Sequence, residues 1–199
     1  MRTFVALDLE PEIRERIQEF AEKVRQLAPA SRWVSAESLH VTLKFVGEKP
    51  QAMVEKIEAA LASIRSEVFE IRFSGAGFFP TPRAARVFWV GIQADERLSV
   101  LAKAIDDSLS ELGVEKEARA FSPHLTLARA SGGSGAPGWR KGDKSNRQFA
   151  KLQDFLERNP APDFGTMTAR EFFLYRSQLS SKGSQYTKIA CFELNSATN

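Results

Sequence analysis

The chain has 199 residues, 43% hydrophobic and 27% charged, with a formal net charge of +3. That mix is ordinary for a folded protein and excludes disordered and collagen-like classes, while the length suits one large domain or two small lobes. No apolar run approaches the roughly 20 residues of a membrane span, and Met1-Arg2-Thr3-Phe4 lacks a signal-peptide core, so a cytoplasmic protein with no membrane partner is expected.

In chain order, Phe4-Val5-Ala6-Leu7 reads as a buried strand. Ile13, Ile17, Phe20, Ala21, Val24 and Leu27 then recur at helical spacing behind Pro11, which suits an opening turn. The strand His40-Val41-Thr42-Leu43 follows, then a helix on Met53, Val54, Ile57, Leu61 and Ile64. Strands over Phe69 to Phe73 and Arg86 to Ile92 close the first half. The second half repeats the order. A helix carries Leu98, Leu101, Ala102, Ile105, Leu109 and Leu112, with Asp95 as N-cap and Gly113 as C-terminal cap. The strand His124-Leu125-Thr126-Leu127 precedes a helix on Phe149, Leu152, Phe155 and Leu156, and strands over Glu171 to Tyr175 and Thr187 to Leu194 end the chain. Cys191, the lone cysteine, is expected as a buried small hydrophobe there.

The offset of 84 residues that carries His40 onto His124 also carries Phe4 onto Phe88. This predicts an α+β fold: one bilobal domain over residues 1–199, two pseudo-symmetric lobes each with an antiparallel sheet flanked by helices, and a groove between them. The chief asymmetry is Ser131 to Gly142, a Gly/Ser-rich stretch expected to be a flexible insertion. Trp139, Arg140, Lys141, Lys144 and Arg147 in or beside it supply an aromatic and positive charge that suit a nucleic acid, although a solvated loop is the simpler reading.

The only two histidines, His40 and His124, each open the same His-x-Thr-Leu phrase. Alternation along a strand puts His40, Thr42 and Lys44 on one face and Val41, Leu43 and Phe45 on the other; His124 and Thr126 obey the same rule. Two imidazoles and two hydroxyls would then converge on one small anion. A phosphodiester fits: the hydroxyls donate to non-bridging oxygens, one imidazole activates water, and the other protonates the leaving oxygen. Arg129 is a natural phosphate partner, but strict alternation turns it to the wrong face unless the strand twists or ends there. Lys44 is open between a solvated charge and a second phosphate contact. Ser38 and Ser122, each two residues before a histidine, read as strand-entry positions. Two separated histidines and one cysteine form no spaced metal set, so neither metal nor cofactor is expected.

The phrases running from Trp33 to Gly47 and from Phe121 to Arg129 resemble those of the two-histidine phosphoesterases, above all the RNA 2',3'-cyclic phosphodiesterases, once called 2'-5' RNA ligases. The likeness extends from Phe4 to the segments Ser177-Gln178-Leu179 and Tyr186-Thr187-Lys188-Ile189. It implies metal-independent opening of a terminal 2',3'-cyclic phosphate to a 2'-phosphate, with His40 as proton donor, His124 as proton acceptor, and Thr42, Thr126 and Arg129 holding the phosphate. The partners implied are RNA 3' ends bearing the cyclic phosphate, such as tRNA fragments, and the enzyme is expected as a monomer. Two departures from the family pattern are Ala36, where a proline is common, and the long insertion. The residues alone leave open which imidazole is acid and which base, whether the substrate is RNA or a small cyclic nucleotide, and whether 2'-5' ligation accompanies hydrolysis. A non-catalytic RNA-binding module is the rival outside enzymes; Gly75-Ala76-Gly77-Phe78-Phe79-Pro80 lacks its usual aromatic phrase.

Overall fold

The computed structural model describes residues 1–131, 147–180 and 183–195. Strand β1 (Arg2–Leu7) leads into helix α1 (Pro11–Arg25), which buries Ile13, Ile17 and Val24 and opens on Pro11. A short strand β2 (Arg32–Trp33) and a 3-10 turn over Ala36–Ser38 precede β3 (Val41–Glu48) and α2 (Gln51–Ala62). Then come β4 (Phe69–Phe79), β5 (Val87–Ala94), α3 (Glu96–Glu111), β6 (His124–Arg129) and α4 (Ala150–Arg158). Strands β7 (Asp163–Ala169), β8 (Glu171–Ser180) and β9 (Gly183–Glu193) complete the chain. Asp95 caps α3 by accepting from the Arg97 amide at 2.9 Å, and Gly113 behind it adopts φ 78°, as the cap expectations require.

Two antiparallel sheets form, in the orders β3-β1-β8-β9 and β2-β6-β5-β4-β7. The α+β class holds, but the expected assignment of closing strands to halves does not. Strands β4 and β5 pair with each other in the sheet of His124, whereas the C-terminal pair β8 and β9 completes the sheet of the His40 strand. Helices are exchanged too. Phe20 of α1 packs on Phe88 and Phe164 of the second sheet, and α3 reaches β3 of the first through Lys44 and Asp106. The reason is that no half buries its own apolar faces: one continuous core takes Val5, Leu7, Val41 and Leu174 from the first sheet and Phe73, Phe88, Val90 and Leu125 from the second.

Strands β2 and β7 escape the periodicity reading. The first is only two residues long, and in β7 the apolar Phe164 and Met167 lie three apart. Gly165, at φ 95°, explains that spacing: the register with β4 skips there, so the alternation of two is broken by a bulge. Cys191 corrects its expectation as well. It lies exposed on the edge strand β9, its thiol 3.1 Å from a Glu171 carboxylate oxygen, because an edge strand has one uncovered flank. Residues 132–146, which hold the insertion beyond Ser131 together with Trp139, Arg140, Lys141 and Lys144, fall outside the described residues. The pair Ser131 and Gln148 flanks that segment with two mutual hydrogen bonds, 2.9 and 3.1 Å.

Candidate functional site

Both histidines enter their strands with the same local geometry. His40 Nδ1 lies 2.7 Å from the Ser38 carbonyl oxygen, and His124 Nδ1 lies 2.8 Å from the Ser122 carbonyl oxygen. A carbonyl can only accept, so each Nδ1 carries its proton and Nε2 is the nitrogen left to exchange one. Thus the serines matter through their backbone, two residues before each imidazole. The turn that delivers Ser38 is clamped from α1: Arg14 donates to the carbonyls of Ala36, at 2.5 Å, and Leu39, at 3.2 Å, while pairing with Asp8. Nothing in the local sequence marked Arg14, because its partners lie 22 and 25 residues away.

A β-bulge sits at the same place in both motif strands. In β6 Thr126 faces Trp89 and Ala128 faces Phe88, leaving Leu127 as an extra residue; in β3 Thr42 faces Ala6 and Lys44 faces Val5, leaving Leu43 extra. One extra residue reverses every later side chain. Arg129 is thereby returned to the face of His124 and Thr126, which strict alternation denied it. Lys44 goes the other way: it is 2% exposed, its Nζ 2.5 Å from an Asp106 carboxylate oxygen and 2.6 Å from the Glu115 carbonyl oxygen. It is neither a solvated charge nor a phosphate contact. The groove position it vacates goes to Phe45, which is 56% exposed.

His40, Thr42, Phe45, His124, Thr126 and Arg129 all line one cavity of about 460 Å³ between the two sheets. Each imidazole stands edge-on to an aromatic ring: His40 to Tyr186 with centroids 5.2 Å apart, and His124 to Phe79 at 5.0 Å. Phe4 covers His40 further at 4.7 Å. Trp89 lies beside Phe79, and its ring rests on Gly77, where a Cβ would come within 2.4 Å of it; this is what the glycine-rich phrase before Pro80 accomplishes.

Burial behind these rings drives His40 down to about 4, and the nearby Arg129 charge pushes the same way. His124 is lowered by the same two causes, burial first. Both shifts favour the neutral imidazole at neutral pH. Arg129 itself is lowered by burial and by the neighbouring Arg32 charge, and steadied by Tyr186. An anion between the lobes would offset Arg129 and restore protonation of one imidazole. Among the described residues no three His, Cys, Asp or Glu side chains gather in a metal-binding group, and no helix is long and apolar enough to cross a membrane.

The "LigT like Phosphoesterase" family matches residues 7–89 and again 90–186. An RNA 2',3'-cyclic phosphodiesterase of Archaeoglobus fulgidus is 31% identical across 97% of this chain and 100% of its own length. One from Methanothermobacter thermautotrophicus is 32% identical across 98% and 99%. The crystal structure of E. coli LigT complexed with 3'-AMP superposes with a TM-score of 0.76 at 29% identity, over 97% of each chain. With a double family match spanning both histidine motifs and curated relatives aligned from end to end, this chain belongs to the LigT-like phosphoesterase family.

Proposed function

We propose that this protein is a metal-independent RNA 2',3'-cyclic phosphodiesterase, one bilobal domain working as a monomer on the 3' ends of RNA, including tRNA fragments. The observation that carries the reading is the convergence of both His-x-Thr phrases and Arg129 on one cavity, with both imidazoles anchored through Nδ1. The names of the curated relatives support the substrate class, and E. coli LigT has been crystallised in complex with a nucleotide, 3'-AMP.

In this mechanism Thr42, Thr126 and Arg129 hold the non-bridging oxygens. His124 Nε2 takes a proton from water as the water oxygen bonds to phosphorus, and His40 Nε2 gives its proton to O3' as the P–O3' bond breaks. The 2'-phosphate remains, and solvent resets both imidazoles. His40 is the more strongly depressed imidazole, so the productive state needs the substrate's negative charge to hold a proton there against Arg129. If the 5'-hydroxyl of a second RNA replaces water, the same proton transfers yield a 2'-5' linkage.

The test is hydrolysis of a short RNA ending in a 2',3'-cyclic phosphate, in excess chelator, by wild type, His40→Ala and His124→Ala. Turnover to the 2'-phosphate that falls roughly 10^2 to 10^4-fold in each variant is expected. A chelator-sensitive rate, or a 3'-phosphate product, would sink the reading. Full RNA binding without turnover would favour a binding module instead.

A further inference from the structure

The cavity holds more positive charge than the hydrolysis step requires. Arg32, on the edge strand β2, lies directly opposite Arg129 in the register with β6, and it lines the same cavity. Like charges directly opposite on one face of a sheet are destabilising. Even so, among the described residues Arg32 makes no ion pair. Its backbone is not adrift: Trp33 next to it donates Nε1–H to the Ala28 carbonyl at 3.1 Å and packs on Phe88, and the Val34 amide donates to the Leu127 carbonyl at 2.8 Å. A two-residue strand is thus pinned to the bulge of β6 and sets Arg32, exposed, in the wall of the groove.

We infer that Arg32 is a specificity-determining residue that grips the phosphodiester preceding the terminal nucleotide, making the enzyme prefer oligonucleotide over mononucleotide cyclic phosphates. This rests on the reading of the site as a cyclic phosphodiesterase. Position argues for a second phosphate rather than the scissile one. Arg129 lies at the far end of β6 from His124, five residues along, on the order of 15 Å of strand, and Arg32 sits one strand further out. Correspondingly, the Arg129 charge is felt at both imidazoles, whereas Arg32 acts on Arg129 and not on His124. A nucleoside cyclic phosphate has no second anion to offer there; an RNA end has its next phosphodiester. Anion binding would also relieve the repulsion between the two arginines.

The experiment compares kcat/KM for a four-nucleotide RNA ending in a 2',3'-cyclic phosphate with that for the matching nucleoside 2',3'-cyclic phosphate, at several salt concentrations. Wild type, Arg32→Gln, Arg32→Lys and, on the opposite sheet of the same cavity, Arg2→Gln are measured. Loss of one charge-assisted contact should lower the RNA value of Arg32→Gln about tenfold, leave the nucleoside value within about twofold, and reduce the salt slope by about one. Arg32→Lys should keep the slope. Equal losses on both substrates would assign Arg32 to the scissile phosphate, and no loss on either would make it a surface charge; both overturn the inference. A length-dependent loss in Arg2→Gln alone would send the RNA over the other wall and overturn it too. Wild type that turns over neither substrate would remove the functional reading itself, and this inference with it.

Discussion

At the scale of single residues, the two histidines differ from ordinary surface imidazoles because aromatic rings exclude water from them while Arg129 opposes their protonation. Since kcat/KM reports the free enzyme, both pH limbs should lie on the acid side: the kcat/KM optimum is expected below the ordinary histidine value of about 6.5, with the kcat optimum higher because bound phosphate favours the imidazolium. Coincident profiles for kcat and kcat/KM would contradict this. Stability carries the same signature. Between about pH 4 and 6.5 the unfolded chain binds a proton at His40 that the folded chain refuses, so stability falls as pH drops through that window. Denaturant titrations should show His40→Gln flattening that decline. Roles can be separated by leaving group: with a nitrophenyl phosphodiester, which needs no proton on departure, His40→Ala should recover most of its lost rate and His124→Ala should not. The residues that mattered were legible as a motif. Their orientation was not, because it is set by carbonyls of Ser38 and Ser122 and by Arg14 from another element.

At the scale of elements, the bulges decide which side chains face the groove. Alternation alone placed Lys44 in it and Arg129 outside it; one extra residue in each strand reverses both. The sequence does hold a trace of this, since Leu43-Lys44 and Leu127-Ala128 are each two successive buried residues, but a buried lysine looks polar until Asp106 of α3 is brought to it. Lys44→Ala should therefore act on stability and leave the proton transfers intact. Removing one partner of a buried pair costs about 3 kcal/mol. Burial pushes the Asp106 carboxyl up, but the Lys44 and Glu117 amide hydrogen bonds with the Lys44 and Lys116 charges outweigh it and hold the carboxyl below its ordinary value, so this contribution is present above the unfolded value near 3.8 and disappears as pH falls through the folded one. Chemical denaturation should show the deficit of Lys44→Ala shrinking as pH is lowered from 7 through the folded Asp106 value, while the part due to lost packing and the Glu115 carbonyl contact stays. Gly77→Ala drives a methyl into the Trp89 ring and should cost about 1 to 3 kcal/mol while altering indole fluorescence.

At the scale of the molecule, the two sheets share one apolar core and trade strands and helices, so they should unfold together. Calorimetry is expected to give a single transition. Inorganic phosphate at about 100 times its Kd should raise stability by about 2.7 kcal/mol, and Arg129→Gln should lose most of that gain at the same phosphate concentration. Two separate transitions, or phosphate protection of only one, would mean that the lobes are independent. What the sequence by itself determined was the inventory: paired His-x-Thr-Leu phrases at an offset of 84, the helices with their caps, and strands short enough to build two antiparallel sheets. Those follow from local periodicity and side-chain chemistry, which act over a few residues. Only the tertiary structure decided which sheet each strand pair completes, that Arg129 and Phe45 face the cavity, that Lys44 is buried, and that Arg32 stands beside Arg129. Each of these depends on pairing between segments far apart in the chain, where burying the apolar faces of both halves together outweighs what either half achieves alone.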